Sequence, residues 1–367
     1  MSVFSLINLF KNGTDFKLLK SSLINISIFC FAILLTAVVP LWEGSNLNFG
    51  LTCIGKIFLA LPIFLLFRIH FLSSIKANSV WIVFISLSLF IIIQNTGFKI
   101  KENLNFIGLD ISYGPWNEKY HAFWLVLFFW VIIYFVKNSN SFKKYTTVLF
   151  VTVAVYTSYS ESAKLALFTS FLIYMIFKKN PIKAWNYIYC ILIAYISVFP
   201  FLFQIIPLSG MDWLYDRVYV RLLLFEVASN AIFENFLIGK GFGSSINLNI
   251  IPFLPDHDSS AKEWLRSYQT FPGNHPHNFV ALIWLEFGLL GATMLLLFLY
   301  KFNKFINQHK DYEHTVIFLI CLFVTAVILF SLSWSIWQTD VVMTYIMFSS
   351  CLIFISSGAE TLHKFEN

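Results

Sequence analysis

The chain has 367 residues, of which 58% are hydrophobic and 12% are charged. A soluble globular domain carries about a quarter charged residues, so this composition excludes an ordinary soluble protein and favours a membrane protein. The net charge of +6 does not indicate nucleic-acid binding, because the basic residues lie in small groups beside hydrophobic segments rather than along one helix or patch.

Ten hydrophobic segments follow one another along the chain, bounded by lysine, asparagine, glycine or proline. Segments of about 16 to 25 residues match a hydrocarbon layer roughly 30 Å thick, and they predict an all-α polytopic membrane protein. The first segment is too long for the core of a signal peptide and is expected to stay as an anchor. The predicted spans are residues 22–41, 50–71, 78–95, 121–137, 145–160, 163–178, 185–206, 278–300, 314–335 and 341–357.

Basic residues lie in every second connection between these segments, as with Lys143 and Lys144 or Lys178 and Lys179. Because short basic loops remain in the cytoplasm, this pattern predicts that both termini are cytoplasmic. The long connection 207–276 then lies on the outer face. It divides the chain into seven N-terminal spans (1–206), a large periplasmic loop (207–276) and three C-terminal spans (277–367).

The long outer loop contains a segment with helical periodicity. Glu226, Asn230 and Glu234 recur every four residues between hydrophobic positions, which predicts an amphipathic helix at the membrane surface. Gly239, Gly241 and Gly243 follow and are expected to end this helix, because glycine tolerates left-handed conformations.

Two arginines stand near the start of that predicted helix. Arg217 and Arg221 are four residues apart and therefore share a helix face, about 140° from the Glu226 stripe. Two guanidinium groups at a membrane surface can bind phosphate oxygens in bidentate fashion. The alternatives are interfacial snorkelling or pairing with Asp212 and Asp216.

Two histidines, His275 and His277, lie directly before the eighth predicted span. An imidazole with a pKa near neutrality can accept a proton from a hydroxyl group, although a loop histidine is more often simply solvated. The His-x-His pair alone is weak evidence for a metal site, since no third ligand stands at a recognisable spacing, and none is predicted.

Two further ionisable residues lie in or near predicted spans. Glu286 is inside the eighth span, eight residues after Asn278 and on nearly the same face, where a charge usually faces a cavity or a partner. Lys164 follows Glu161 at the outer end of a span, and it is either an anion contact or the ion-pair partner of Glu161. The sequence contains none of the common nucleotide or metal signatures where they could work, so no cofactor is predicted.

The histidine segment resembles the O-antigen ligase family. His277 and Asn278 are followed by nine residues and then by Gly288-Leu289-Leu290-Gly291, which meets the H-N-x9-G-x-x-G pattern. The segment Arg221–Ser245 is similar to the arginine-led segment of the family, and Trp337–Asp340 to its tryptophan-glutamine motif. Where the family often has a serine-arginine pair, this chain has Ser162-Ala163-Lys164, so Lys164 either replaces that arginine or marks a shifted match.

The resemblance implies a GT-C-like fold of 10 to 12 transmembrane helices in a bacterial inner membrane, with the active site on the periplasmic face. It also implies a metal-independent, inverting glycosyltransferase of lipopolysaccharide biosynthesis. The donor would be a glycan on undecaprenyl pyrophosphate, and the acceptor a sugar hydroxyl of lipid A-core.

The resemblance also gives each candidate residue a role. His277 and Arg221 would be catalytic, while Arg217 and Lys164 would bind pyrophosphate. Asn278 and Glu286 would hold the His277 ring. Gly288 and Gly291 would let a neighbouring helix approach closely.

Two other functions remain open at this point. An O-antigen or capsule polymerase of the same superfamily uses the same chemistry but joins one lipid-linked repeat to another, and the sequence does not show the acceptor. A transporter of lipid-linked sugars is less favoured, because it would carry several charges along a path within its spans, whereas the polar motifs here collect at one face.

Overall fold

A computed structural model describes residues 77–104, 115–137, 139–206, 208, 211, 213–214, 216–254, 260–272, 275–310 and 313–332. Within these ranges the regular elements are helices, and no β-strand occurs among them. The predicted spans 22–41, 50–71 and 341–357 and the motif Trp337–Asp340 lie outside the described residues.

Seven of the described helices coincide with predicted spans, and three others belong to the long loop. The helices are α1 Ala77–Leu104, α2 Pro115–Val136, α3 Ser141–Thr157, α4 Glu161–Phe177, α5 Pro181–Ile205, α6 Asp216–Glu234, α7 Ser244–Asn247, α8 Ser260–Arg266, α9 Phe279–Gln308 and α10 Glu313–Leu332, with one 3-10 turn at Ile251–Phe253.

Three of the described helices, α5, α9 and α10, are long and apolar enough to cross a membrane. Helices α3 and α4 have 17 residues each and begin at polar N-caps. Asn140 accepts a hydrogen bond from the backbone N–H of Lys143, and Ser160 accepts one from Ala163. The described part is thus an all-α, multi-pass membrane protein.

Helix α10 is the centre of the described bundle and packs against α2, α4 and α5. It is apolar around its whole circumference, which is typical of a helix buried on all sides. The buried indole N–H of Trp130 finds partners inside this bundle, since it lies 3.1 Å from Ser170 Oγ and 3.2 Å from Thr325 Oγ1.

The helix predicted within the long loop is present as α6, but it is not a free surface helix. It packs against α5 and α9, and its side chains Leu223, Val227, Ala228 and Ala231 are fully buried. Its polar stripe contributes to this packing, because Asn230 accepts a hydrogen bond from Gln204 of α5. The stripe is therefore a packing contact as well as a polar surface.

Pro200 of α5 joins three helices. A proline inside a helix leaves the carbonyl four residues earlier without its usual donor. Here that carbonyl, on Ile196, accepts the indole N–H of Trp284 from α9 at 2.8 Å, while the Pro200 carbonyl accepts the hydroxyl of Ser229 from α6. These two bonds fix α6 and α9 on the same part of α5.

Candidate functional site

His277 lies at the mouth of α9 in an unusual backbone conformation. Its φ of 54° places it in the left-handed region, which costs a non-glycine residue of order 1–3 kcal/mol unless neighbouring contacts maintain it. Its backbone N–H donates to Nδ1 of His275 at 3.0 Å, and the two imidazole rings lie 4.2 Å apart. His275 is buried, whereas His277 is half-buried.

Asn278 begins α9 as its N-cap. Its Oδ1 accepts the backbone N–H groups of Val280 at 2.9 Å and Ala281 at 3.0 Å, and its Nδ2 donates to the hydroxyl of Tyr195 on α5. The amide group is therefore engaged with the helix end and with Tyr195. The prediction that Asn278 holds the His277 ring was wrong, although Asn278 does fix the backbone directly after His277.

Helix α9 is broken at Gly288, which has φ 58° and ψ −147°. This backbone conformation is strongly unfavourable for any residue that has a side chain. At the break, the helical bonds from the Leu289 and Leu290 N–H groups to the Leu285 and Glu286 carbonyls are replaced by bonds to another part of the chain.

The glycine-rich turn after α6 supplies the replacement bonds. The N–H of Leu289 donates to Phe236 O at 2.8 Å, and that of Leu290 to Leu237 O at 3.4 Å. In return, the carbonyls of Leu285 and Glu286 accept the N–H groups of Lys240 at 2.8 Å and Gly241 at 3.0 Å. We call this contact of residues 236–241 with residues 285–290 the Gly288 crossing.

Side chains are excluded from the Gly288 crossing. A Cβ added at Gly239 would lie 2.4 Å from the Glu286 carbonyl carbon, and one added at Gly288 would lie 2.6 Å from Gly239 N. A Cβ at Gly291 would lie 2.5 Å from Cβ of Phe287 in its own helix. Gly288 thus admits the turn after α6, and the nearest atoms to an added Cβ at Gly291 belong to α9 itself.

Glu286 is fully buried immediately before the break. Its Oε1 accepts a hydrogen bond from Ser245 Oγ at 3.0 Å, and Ser245 stands in the short helix α7 that follows the glycine turn. Sequence reasoning gave Ser245 no role of its own beyond the end of the arginine-led segment, although it stands two residues after Gly243.

Arg221 lies half-buried on α6, one turn before Phe225. Phe225 packs on Phe199 of α5 with ring centroids 6.1 Å apart, and Phe199 packs on Tyr195 at 5.8 Å. Tyr195 in turn accepts the hydrogen bond from Asn278. A continuous set of contacts therefore runs from the helix turn after Arg221 to the residue that follows His277.

Arg217 stands one turn earlier on α6, and its side chain lies outside the described residues. Lys164 lies in the first turn of α4, where its Nζ is 3.0 Å from Glu161 Oε1 and 5.8 Å from the ring centre of Tyr156. This ion pair is one of the two alternatives predicted for Lys164. Among the described contacts, Lys164 is joined to neither Arg221 nor His277.

The environment of His275 affects its protonation. Burial holds the pKa of His275 well below its usual value, and the adjacent His277 lowers that pKa further. His275 is therefore neutral near pH 7, and its Nδ1 remains free of a proton and able to accept. Among the described residues, no group of three His, Cys, Asp or Glu side chains is arranged to hold a metal ion.

Comparison with known proteins shows that the segment containing this site is similar to one family. Residues 146–296 match the model of a family described as O-Antigen ligase. A protein named "Putative polysaccharide ligase" from Rickettsia conorii is 27% identical over 218 residues, which cover 57% of this chain and 50% of that protein. Proteins named in the same way from Rickettsia typhi and Rickettsia prowazekii are each 30% identical over 120 residues, or 32% of this chain and 28% of theirs.

The chain spans about half the length of the Rickettsia conorii protein and less of the other two. No solved structure shows significant similarity to the chain. The segment that matches the family model includes Lys164, Arg221, His277 and both sides of the Gly288 crossing. By this match and by its H-N-x9-G-x-x-G motif, the segment 146–296 of the chain is similar to the O-antigen ligase family.

Proposed function

We propose that the chain is an O-antigen ligase, an inverting and metal-independent glycosyltransferase. It moves a glycan from undecaprenyl pyrophosphate to a sugar hydroxyl of lipid A-core. The observation that supports this proposal is the placement of Arg221 on α6 and of His277 directly before α9, two helices joined by the Gly288 crossing and by the contacts around Tyr195. The donor and the acceptor are taken from the family resemblance.

Arg221 binds the donor pyrophosphate and stabilises the negative charge that grows on it as the glycosidic bond breaks. A guanidinium group suits this task because it keeps its charge and forms bidentate bonds with phosphate oxygens. Arg217 lies one turn away from Arg221 on the same helix. By sequence position it is therefore the better candidate for a second pyrophosphate-binding cation. Lys164 is the weaker candidate, because Glu161 already neutralises part of its charge.

His277 orients the acceptor hydroxyl and takes its proton. The hydroxyl oxygen forms a bond to the anomeric carbon, while the bond from that carbon to the pyrophosphate oxygen breaks and undecaprenyl pyrophosphate leaves. A single displacement of this kind inverts the configuration at the anomeric carbon. The pyrophosphate already activates the donor, so the reaction requires no nucleotide.

Four residues support the site by fixing its backbone: Asn278, Glu286, Gly288 and Gly291. Asn278 fixes the start of α9, while Glu286 receives Ser245 beside the Gly288 crossing. The two glycines permit the bend of α9 at which the turn after α6 docks. These groups maintain the relative position of the arginine helix and the histidine.

The proposed location is the bacterial inner membrane, with about ten transmembrane helices, a GT-C-like arrangement and both termini in the cytoplasm. Residues 207–276 form a periplasmic loop between the spans of residues 1–206 and those of residues 277–367. The alternation of basic loops supports this topology. Exposed apolar side chains at helical spacing on α3, such as Tyr145, Leu149 and Tyr156, support a lipid-facing surface.

Complementation of a ligase-null strain tests the proposal. The wild-type chain is expected to restore the lipopolysaccharide ladder, whereas His277→Ala and Arg221→Ala should not do so at equal membrane abundance. Leu297→Ala, at an exposed position on α9, is the matched control and should restore it. A normal ladder with either site variant contradicts the assignment.

The same genetic approach separates a ligase from a polymerase in the native host. Loss of a ligase leaves long polymer on the carrier lipid, because only the final transfer is blocked. Loss of a polymerase leaves single repeats there instead. Single repeats on the carrier lipid after deletion would contradict the ligase proposal and support a polymerase.

A further inference from the structure

His275 has a contact that the proposed reaction does not use. Its Nδ1 accepts the backbone N–H of His277 at 3.0 Å, across one intervening proline. His277 is the residue other than glycine that has a positive φ among the described residues. The hydrogen bond thus acts at the position where the backbone has adopted a disfavoured conformation.

The ring of His275 also restricts the ring of His277. The centroids of the two imidazoles lie 4.2 Å apart with an angle of 59° between the planes. Only 3% of His275 is exposed, so its ring cannot swing into solvent without opening the loop. The buried His275 ring therefore packs against one side of the His277 imidazole and limits its orientation.

We propose that His275 is a positioning residue for His277, acting through the bond from the His277 backbone N–H to His275 Nδ1. The bond fixes the left-handed backbone, and the packed ring directs the imidazole at the mouth of α9. This inference rests on the proposed function for its effect on transfer, but its structural part does not depend on that function.

The protonation state of His275 suits this role. A nitrogen that accepts a hydrogen bond carries no proton, so the proton of the neutral ring belongs on Nε2. Burial and the neighbouring His277 both hold the pKa of His275 well below its usual value, which keeps Nδ1 available near neutral pH.

Two substitutions separate the hydrogen bond from simple packing. Asparagine at this position can accept the N–H of the residue two places later through its Oδ1, as in an Asx turn, whereas leucine fills space but accepts no bond. His275→Asn should therefore retain the contact, and His275→Leu should remove it.

The expected results follow from the geometry of the reacting hydroxyl. With purified protein, His275→Leu should lower kcat for transfer by roughly 10- to 100-fold with little change in KM for the donor, since small displacements of a catalytic group have effects of this size. His275→Asn should recover most of that loss. Equal loss in both variants, or full kcat in His275→Leu, overturns the proposal.

A second measurement needs no catalysis. The rate at which diethyl pyrocarbonate modifies His277 in the folded protein, resolved by peptide mass spectrometry, should change severalfold in His275→Leu and return in His275→Asn. The exposed His314 serves as the internal control. An unchanged rate at His277 in His275→Leu refutes the positioning role, while an inactive wild type with the expected rates refutes only the proposed function.

Discussion

Substitution of Gly288 by alanine tests the structural link between α6 and α9. The added Cβ would lie 2.6 Å from Gly239 N and 2.6 Å from Phe236 O, both backbone atoms of the Gly288 crossing. These atoms cannot retreat without breaking the bonds at Leu289 and Leu290. The substitution therefore has to distort either α9 or the turn after α6.

Two costs contribute to the effect of Gly288→Ala. The disfavoured backbone at φ 58° and ψ −147° costs of order 1–3 kcal/mol for alanine, and overpacking costs about 1–3 kcal/mol more. The free energy of unfolding should fall by about 2–6 kcal/mol, a large fraction of a typical total of about 5–15 kcal/mol. Gly291→Ala should have a smaller effect, because its closest neighbour is a side-chain atom of its own helix.

Thermal unfolding of the purified protein in detergent measures this effect. A loss of 2–6 kcal/mol should lower Tm by about 3–8 °C for a chain of 367 residues. The control Leu297→Ala, at an exposed position on the same helix, should stay close to the wild type. If Gly288→Ala has the same Tm as the control and retains full transfer activity, the Gly288 crossing does not stabilise the protein as we infer.

Three further predictions concern side chains around the site. Asn278→Ala should lower stability by about 1 kcal/mol in a melting experiment through loss of the N-cap, and Asn278→Asp, which keeps the acceptor, should lose less. Ser245→Ala should lower stability by about 1–3 kcal/mol, because the buried Glu286 carboxyl loses a donor, and unchanged melting would contradict that contact. Below about pH 6.5, His275 binds a proton in the unfolded chain but stays neutral in the folded protein, where it is buried. The free energy of unfolding should therefore fall with falling pH, by at most about 1.4 kcal/mol per pH unit. In a melting series over pH, His275→Asn should show a smaller fall.

The sequence predicted the helices better than their contacts. Apolar segments located α1 to α5, α9 and α10, because length and hydropathy are local properties. The Glu226 stripe located α6 for the same reason. The stripe did not reveal that α6 packs on α5 and α9, since a polar residue such as Asn230 can bind either water or a neighbour such as Gln204.

The Gly288 crossing lay beyond sequence reasoning for a different reason. It joins residues 236–241 to residues 285–290 through backbone atoms, which carry no residue-specific signal. Glycines at 239, 241 and 243 indicated a turn, and their positive φ values confirm it. Only the three-dimensional arrangement shows that the turn docks into α9, and that Asn278 bonds to Tyr195 rather than to His277.

Transfer by the purified protein in lipid tests the central claim most directly. The wild type, supplied with glycan on undecaprenyl pyrophosphate and with lipid A-core, should form the ligated product without nucleotide and in the presence of a metal chelator. His277→Ala and Arg221→Ala should each lose at least about 100-fold in rate, as expected for removal of a group that acts on the transition state. Transfer at the wild-type rate by either variant, or no transfer to lipid A-core while the donor glycan lengthens, would contradict the account.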